Sequence, residues 1–393
     1  MHVTLVLTHE CNLACSYCYT GEKFRREMDW ETAMRSLDLL FGAPREQTPW
    51  REETPLDLGF FGGEPLICFD MLERVALEAR ARATREGRRL RLAVTTNGTL
   101  VTPERARRLK ALGVQVTLSL DGCRAAHEAT RPQRGGRSSF DDVLAGAENL
   151  RAAGLGLQVI AVVAPENVRW LGESVRFLAG LGATEVILNP AFECAWSDAD
   201  LGLWEAGLEE AARAYADAIR AGRPLAMPTF DNKLLAAAKG GLTSCDSCGS
   251  GDREIAVSPR GNLFPCARMV GEDRDDALVI GTLDAGIDRA RVGGLKRGPA
   301  DPACDACAEQ WRCGASCACA NLAETGTTHL PGGTQCWYEQ ATARIADAVG
   351  HALLAERDPT FLAWTYGRVA AAAKATGQSP SRVERRHRLP LAT

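Results

Sequence analysis

Three closely spaced cysteines are the residues of this chain with the clearest chemistry. Cys11, Cys15 and Cys18 have the spacing C-x3-C-x2-C and follow an apolar run from Val3 to Leu7. Three thiolates on a loop after a strand can hold three irons of a [4Fe–4S] cluster and leave the fourth iron open to a ligand. A zinc knuckle is the alternative, but zinc sites usually pair two C-x2-C hooks or use histidine, and neither lies near this triplet.

A second group of cysteines lies between residues 245 and 336. Its core has the spacing C-x2-C-x5-C-x3-C, which is typical of metal binding. Two fully ligated clusters or two closed zinc sites would both use eight thiolates. The group consists of Cys245, Cys248, Cys266, Cys304, Cys307, Cys313, Cys317, Cys319 and Cys336.

The first triplet resembles the signature of the radical S-adenosylmethionine (SAM) enzymes, in which the open iron chelates SAM. In that family the reduced cluster cleaves SAM to a 5′-deoxyadenosyl radical, which takes a hydrogen atom from the substrate. The run Gly62-Gly63-Glu64-Pro65 resembles the family's GGEP, and Ser119 with Asp121 resembles its S-x-D-G run. The resemblance implies SAM contacts from Tyr17, Gly62, Gly63, Glu64, Pro65, Asn97, Ser119, Asp121 and Arg131.

Asn97, Arg131 and the neighbouring His127 differ in how directly their type and position point to SAM. Asn97 is equally suited to cap a turn. Arg131 closes a run that resembles the family's H-x-x-x-R, and its guanidinium suits the SAM carboxylate. The histidine of that run, His127, has no partner nearby in sequence, which favours a structural role.

The second group resembles the seven-cysteine SPASM module, which carries two auxiliary [4Fe–4S] clusters. The resemblance implies Cys245, Cys248, Cys266 and Cys317 for auxiliary cluster I. It implies Cys304, Cys307, Cys313 and Cys336 for auxiliary cluster II, and Cys319 competes with Cys317. The expected cofactors are therefore three [4Fe–4S] clusters and SAM.

Most members of that family act on peptide side chains, and auxiliary clusters offer a path for an electron that leaves the substrate. We therefore expect a peptide maturase that forms an oxidative intramolecular crosslink (C–C, C–O or thioether). The expected partners are a ribosomally made precursor peptide, a separate leader-binding protein and an electron donor of the flavodoxin or ferredoxin type. One alternative is a formylglycine-forming sulfatase maturase, although Ala267 replaces the aspartate that such enzymes commonly carry. A non-catalytic iron–sulfur carrier or redox sensor is the other alternative.

Oxidation also needs a base for the released proton. Glu193, Asp198 and Asp252 are candidates, and the sequence does not choose among them. Cys194 follows the sixth predicted strand, where contact with a substrate is a second possibility beside packing. Cys68 and Cys123 are expected to be buried as small apolar side chains.

Six β-rich runs alternate with helical stretches in the first half of the chain, which predicts an α/β fold with a parallel sheet. Six strands suit an open (β/α)6 barrel, and the unusual residues follow the strands, where barrel-like folds collect function. The predicted strands are Val3–Leu7, Leu56–Phe61, Leu90–Thr95, Val114–Leu120, Gln158–Val163 and Glu185–Leu188. The predicted helices are Met71–Arg85, Pro103–Leu112, Phe140–Ala153, Glu166–Leu181, 199–221 and 337–356.

Composition sets the remaining expectations. We predict a radical SAM barrel with a bridging helix over residues 1–235, a cysteine-rich module over 240–340, and a helical extension with a basic tail over 341–393. The 393 residues hold 46 basic and 50 acidic side chains, a net charge of −4, which does not indicate nucleic-acid binding. No apolar run is long enough to span a membrane, and no signal peptide is evident, so we expect a cytoplasmic protein.

Overall fold

The computed structural model describes residues 1–42, 55–242, 246, 248–274, 276–296, 298, 301–315 and 317–376. Contacts divide the chain into two compact units built from segments that are distant in sequence. The first unit consists of Met1–Leu120, Thr130–Leu157 and Gly249–Arg297, and the second of Asp121–Ala129, Gln158–Cys248 and Gly298–Thr393. Cys245 and the predicted basic tail from residue 378 lie outside the described residues.

The strands and helices alternate in the first half of the chain, as predicted. The strands are β1 (His2–Val6), β2 (Leu56–Phe61), β3 (Leu90–Thr96), β4 (Val114–Ser119), β5 (Leu157–Val163), β6 (Ala183–Pro190), β7 (Glu254–Val257), β8 (Asn262–Phe264), β9 (Gly281–Thr282) and β10 (Gly286–Ile287). The helices are α1 (Trp30–Phe41), α2 (Phe69–Arg85), α3 (Pro103–Ala111), α4 (Arg124–Thr130), α5 (Phe140–Ala152), α6 (Leu171–Gly180), α7 (Asp198–Arg220), α8 (Pro228–Lys239), α9 (Arg289–Leu295), α10 (Pro302–Asp305), α11 (Ala318–Thr325), α12 (Gly333–Ala355) and α13 (Pro359–Thr376).

A parallel sheet organises the first unit. Strands β1 to β4 pair in sequence order and run in one direction. Their register sets Val3 beside Leu58, Leu58 beside Leu92, and Leu92 beside Val114. All four side chains are buried, so β-branched and leucine residues form one apolar row across the sheet. The carboxyl ends of parallel strands share an edge, and the loops that follow β1, β2 and β3 meet there.

The helices of this unit cover the sheet with one apolar face each. In α2, Leu72, Val75, Ala76 and Ala79 recur at helical spacing and are buried. The helix α1 was not predicted; the Asp29 side chain caps it by accepting a hydrogen bond from the backbone N–H of Thr32.

The part of the chain that follows residue 240, called here the cysteine-rich half, contributes strands to the same sheet. Strand β7 pairs in parallel with β1, with Val3 beside Ile255 and Leu5 beside Val257. Strand β8 then pairs antiparallel with β7. The sequence predicted only a cysteine-rich module over residues 240–340, so these short strands are a finding of the structure. The predicted domain bounds concern sequence modules and remain a prediction.

The second unit is mainly helical around β5 and β6. The long helix α12 packs against both α7 and α8. Helix α7 begins with a capping box, in which Ser197 and Asp200 each accept a backbone hydrogen bond from the other's N–H. The predicted helix Glu166–Leu181 starts instead as a 3-10 turn, Val168–Trp170, before α6. Among the described residues, no helix has both the length and the apolar character to cross a bilayer.

Candidate functional site

The loop after β1 carries the first cysteine triplet. Cys11 is buried, and Cys15 and Cys18 are half-buried. The backbone N–H of Cys18 donates to the Cys15 carbonyl at 3.2 Å, which turns the loop back on itself. The three thiols therefore share one loop at the carboxyl edge of the sheet, as the strand prediction requires.

Backbone pairing fixes this loop against a second segment. The N–H of Ala14 donates to the Pro132 carbonyl at 2.8 Å, and the N–H of Ser16 donates to the Thr130 carbonyl at 2.9 Å. Backbone hydrogen bonds satisfy polar groups that would otherwise be costly to bury. The loop is consequently a fixed platform rather than a loose connection.

The thiols differ in their electrostatic surroundings. Burial raises the pKa of Cys11 to about 11. Burial also opposes ionisation of Cys18, but its hydrogen bond with Thr20 and the nearby Lys23 ammonium outweigh that effect and hold its pKa below the usual value. The Lys23 Nζ lies 3.1 Å from the Cys18 Sγ. Sequence reasoning did not single out Lys23, because a lysine five residues after a cysteine carries no signal by itself.

The glycine pair after β2 lets two backbone segments touch. Gly62 has a φ of 149°, and a Cβ at Gly63 would lie 2.2 Å from the Glu10 carbonyl oxygen. The N–H of Gly63 donates to the Thr8 carbonyl at 2.8 Å, and that of Glu64 to the Glu10 carbonyl at 2.8 Å. The family resemblance implies SAM contacts for both glycines. In the structure the close neighbour is the cysteine loop itself, and the SAM contact remains a prediction.

Glu64 is a buried carboxylate with three protein donors. It accepts from the Leu66 N–H at 2.9 Å, the Thr96 hydroxyl at 2.7 Å and the Asn97 N–H at 2.7 Å. Burial raises its pKa above the usual value. Glu64 caps the short 3-10 helix that begins at Pro65 and ties it to the end of β3. Its carboxylate thus orders the site, and its contact with the SAM ammonium stays a prediction.

Asn97 lies beside the first cysteine and also caps a turn. Its Nδ2 donates to Asn12 Oδ1 at 2.8 Å and lies 3.9 Å from the Cys11 Sγ. Its Oδ1 accepts from the Thr99 N–H at 3.0 Å. The turn-capping interpretation of Asn97 is therefore confirmed, and its contact with SAM remains a prediction.

Tyr17 and Arg131 form a buried pair. The Nη1 of Arg131 donates to the Tyr17 hydroxyl at 2.6 Å. Both side chains are less than a tenth exposed. The buried Arg131 guanidinium lies close enough to Glu64 to favour the ionised carboxylate, which opposes the effect of burial on the Glu64 pKa.

The residues around the end of β4 are polar and mostly buried. Ser119 is half-buried at the end of the strand. In the second unit, Asp121 Oδ1 accepts from the Val162 N–H at 3.0 Å, and the Asp121 N–H lies 3.5 Å from His127 Nδ1. His127 is fully buried, which agrees with the structural role expected for it.

The candidate bases are on the surface. Glu193 and Asp198 are exposed, the latter at the start of α7. In the first unit, Asp252 pairs with Lys296 and, at 3.7 Å, with Arg289. Nothing in these surroundings selects one of them. The assignment of Glu193 and Asp198 as catalytic residues remains a prediction.

Four cysteines of the second group line one cavity. The cavity has a volume of about 730 Å³ and lies wholly in the second unit. Its cysteines are those predicted for auxiliary cluster II: Cys304, Cys307, Cys313 and Cys336. Burial raises the pKa of Cys313 to about 11. Among the described residues, no three such donors converge closely enough to hold a single metal ion. Four thiols around one cavity are a donor set that either a [4Fe–4S] cluster or zinc can use.

A buried ion pair supports the loop at this cavity. The Lys233 ammonium contacts Glu339, whose Oε2 accepts from the Gly314 N–H at 2.5 Å. Arg312 forms two hydrogen bonds to Asp347, at 2.6 and 2.7 Å. Sequence reasoning missed these residues, because Lys233 and Glu339 meet only when α8 packs against α12.

The cysteines predicted for auxiliary cluster I are divided between the units. Cys266 is buried in the first unit, while Cys248 and Cys317 belong to the second. The Sγ atoms of Cys317 and Cys319 lie 3.5 Å apart, so the competition between them stays open. With Cys245 outside the described residues, this set remains a prediction.

Three cysteines, Cys68, Cys123 and Cys194, belong to neither group. Cys68 and Cys123 are buried, as expected. Burial raises the pKa of Cys68 and of Cys194 to about 11. These thiols are poor nucleophiles, since the thiolate is the reactive form.

The first unit is thus an α/β domain in which β1 leads into a fixed loop of three cysteines and the neighbouring β2 leads into a glycine-rich turn. This arrangement is suited to binding an iron–sulfur cluster. Residues 5–178 match the family model described as "Radical SAM superfamily". These residues are therefore a radical SAM domain.

Two kinds of maturase and a heme synthase are among the relatives of this chain. Mycofactocin maturase MftC of Mycolicibacterium smegmatis is 31% identical over 274 residues, covering 67% of this chain and 63% of the relative. A serine-type anaerobic sulfatase-maturating enzyme of Klebsiella aerogenes is 24% identical over 347 residues, covering 82% and 80%. An AdoMet-dependent heme synthase of Nitratidesulfovibrio vulgaris is 32% identical over 182 residues, covering 45% and 44%. The chain spans between 37% and 63% of the length of four of the curated relatives that it matches.

Solved structures share the fold over nearly the whole chain. The structure described as native anSMEcpe with bound AdoMet superposes with a TM-score of 0.70 at 16% identity, covering 95% of this chain and 99% of the other. Streptococcus suis SuiB bound to precursor peptide SuiA has a TM-score of 0.59 at 16% identity, covering 84% and 75%. At such identities the likeness shows the fold, and it confirms the predicted α/β architecture with a cysteine-rich C-terminal region.

Proposed function

We propose that this chain is a radical SAM peptide maturase that forms an oxidative intramolecular crosslink in a ribosomally made peptide. The single observation that carries the proposal is the pair of cysteine sites: the ordered triplet of the first unit and the cavity lined by four cysteines in the second. Three [4Fe–4S] clusters and SAM, when bound, supply the hydrogen-abstracting radical and accept the electron that oxidation releases. The likeness to MftC and SuiB supports a peptide substrate.

The residues of the chain then have defined tasks. Cys11, Cys15 and Cys18 hold the SAM-cleaving cluster on the fixed loop. Gly62 to Pro65, Asn97 and Arg131 order the SAM side of that loop, with the Tyr17 hydroxyl holding Arg131. A base accepts one proton for each crosslink, and Glu193 and Asp198 are proposed for this task.

A second cavity supports a place for the substrate. It has a volume of about 340 Å³ and is lined by Leu188 and Pro190 of β6, with Tyr338. Glu339 lines this cavity and the cysteine-lined one as well. A substrate side chain there would lie close to the proposed auxiliary cluster II, which shortens the path for an electron.

A sulfatase maturase is the second candidate, favoured by the similarity over 82% of the chain to the Klebsiella aerogenes enzyme. The position after Cys266 carries no carboxylate, because the residue there is Ala267, the first residue of a 3-10 turn. The crosslinking proposal does not need a base at that position.

Anaerobic reconstitution tests the proposal. We expect about twelve irons per chain, release of 5′-deoxyadenosine with SAM and a strong reductant, and a peptide lighter by two hydrogen atoms per new bond. A candidate peptide is any short open reading frame encoded next to the gene of this chain. Conversion of a serine or cysteine peptide to formylglycine would favour the second candidate. Four irons or fewer and no SAM cleavage would refute both enzymes.

A further inference from the structure

The loop that follows the third cluster cysteine is held by a segment of the cysteine-rich half. We call residues 19–24 the post-cysteine loop and residues 268–274 the clamp; both lie in the first unit. The Arg268 guanidinium lies 4.8 Å from the centre of the Tyr19 ring. The Glu272 Oε1 accepts a hydrogen bond from the Glu22 N–H at 2.9 Å. Two side chains of the clamp thus contact the loop directly after Cys18.

The fit between loop and clamp is close. Gly21 has a φ of +69°, and a Cβ there would lie 2.6 Å from the Glu272 Oε1. Arg274 lies 5.6 Å from the centre of the Phe24 ring, and that ring stacks on His9 at 4.6 Å. Glycine is therefore required where the carboxylate of the clamp meets the loop backbone.

The clamp is held in place by apolar packing and by a hydrogen bond within the first unit. Val270 packs against Val6 of β1 in a small apolar cluster. Asp273 is buried with a φ of 57°, and its Oδ1 accepts from the Asn262 Nδ2 at 2.9 Å. A non-glycine residue in this conformation persists only where its surroundings hold it. The clamp is therefore fixed by its own packing and can impose its position on the loop.

The contact continues to a cluster ligand. The Lys23 Nζ donates to the Gly21 carbonyl at 2.8 Å and to the Cys18 Sγ at 3.1 Å. Glu272 fixes Gly21 and Glu22, and these residues set the position of the Lys23 ammonium. A cation at a thiolate ligand stabilises the reduced, more negative form of a cluster.

We propose that Glu272 and Arg268 are positioning residues for the SAM-cleaving site: they hold the post-cysteine loop so that Lys23 stays on Cys18. This inference rests on the proposed function, because it assumes a cluster on the triplet. It assigns a second task to the cysteine-rich half. That half orders the post-cysteine loop by direct contact, besides any transfer of electrons.

The test compares variants of the full-length, anaerobically reconstituted protein. Glu272→Ala removes the acceptor for the Glu22 N–H, and Glu272→Gln keeps one. Asp284→Asn is the matched control. Asp284 pairs with Arg35 at 2.6 Å, so it also joins the N-terminal part of the chain to the cysteine-rich half, but outside the post-cysteine loop and the clamp. We expect Glu272→Ala to raise the SAM concentration for half-maximal 5′-deoxyadenosine release by about fivefold, since one hydrogen bond is lost. Glu272→Gln should restore it to within about twofold, and Asp284→Asn should leave it unchanged.

The electron paramagnetic resonance (EPR) spectrum gives a readout apart from turnover. Lys23→Met should lower the midpoint potential of the SAM-binding cluster, and Glu272→Ala and Arg268→Ala should shift it in the same direction by less. Wild-type spectra, potentials and SAM dependence in both Glu272→Ala and Arg268→Ala would overturn the inference. If the wild type cleaves no SAM, the proposed function fails, while the shift in potential still decides the inference.

Hydrogen exchange in the cluster-free protein covers the case in which a variant binds iron poorly. Glu272→Ala should speed exchange of the Glu22 amide by at least about fivefold and leave the amides of β2 unchanged. Unchanged exchange at Glu22 would contradict the clamp.

Discussion

Gly63 occupies a position where no side chain fits. A Cβ there would lie 2.2 Å from the Glu10 carbonyl oxygen, which belongs to the backbone that leads into Cys11. We expect Gly63→Ala to lower the free energy of unfolding by about 2 kcal/mol, because overpacking forces the two segments apart. The same displacement should reduce the iron bound after reconstitution from about twelve to about eight atoms per chain. Urea unfolding and iron analysis measure the two effects.

Gly202 offers the matched control for this substitution. It lies within α7, and a Cβ there meets nothing within 4 Å. Gly202→Ala should raise stability by up to about 1 kcal/mol, as alanine does in a helix, and keep the full iron content. Equal iron loss in both variants would mean that the Gly63 contact does not order the cysteine loop.

A substitution at Cys15 distinguishes a SAM-cleaving enzyme from a non-catalytic iron–sulfur electron carrier. Cys15→Ala removes one thiolate of the triplet and leaves every cysteine of the second unit in place. We expect 5′-deoxyadenosine release to fall below detection, with iron reduced by about four atoms per chain. The EPR signals of the auxiliary clusters should persist. Continued SAM cleavage would show that the triplet is not the cleavage site.

The elements of the chain were predictable to different degrees for physical reasons. The strands β1 to β6 are five to eight residues long and each contains buried apolar residues, and their predicted bounds agree within two residues. Strand β7 has only four residues, Glu254–Val257, set among turns, and only its pairing with β1 makes it a strand. The triplet and the GGEP run were visible because their spacing is local. The partners of Glu64, Lys23 and Gly314 were not, since each is joined to its site by packing between distant segments.

Helices α8 and α12 meet through a buried ion pair, Lys233 with Glu339, whose side chains are 9% and 12% exposed. Lys233→Met leaves the Glu339 carboxylate buried beside only the Gly314 N–H. We expect the free energy of unfolding to fall by about 3 kcal/mol, as when one partner of a buried pair is removed. The double variant Lys233→Met with Glu339→Leu should recover part of that loss, because no lone charge remains.

An exposed pair serves as the control. Arg151 and Glu148 pair at 3.0 Å on the surface of α5, with side chains 49% and 66% exposed. Arg151→Gln should change stability by less than about 0.5 kcal/mol. If Lys233→Met had as small an effect in urea unfolding, the pair would not support the loop at the cysteine-lined cavity.

At the scale of the whole molecule, the cysteine-rich half completes the sheet of the first unit. Residues 249–297 belong to the same compact unit as residues 1–120, and β7 covers the edge of β1 that β2 leaves open. Without β7, the backbone of β1 would expose an unpaired edge directly before the cysteine loop. The bounds drawn from sequence motifs therefore do not describe which segments stabilise each other within this unit.

Two truncations test this dependence. A chain ending after Cys248 lacks β7 to β10, whereas a chain ending after Lys296 keeps them; both lack α10 to α13. We expect amides of β1, such as those of Val3 and Leu5, to exchange at least about tenfold faster in the shorter chain, because their neighbouring strand is gone. The longer chain should keep slow exchange there and bind about four irons at the triplet. Equal protection of β1 in the two chains would show that the first four strands are stable without the cysteine-rich half.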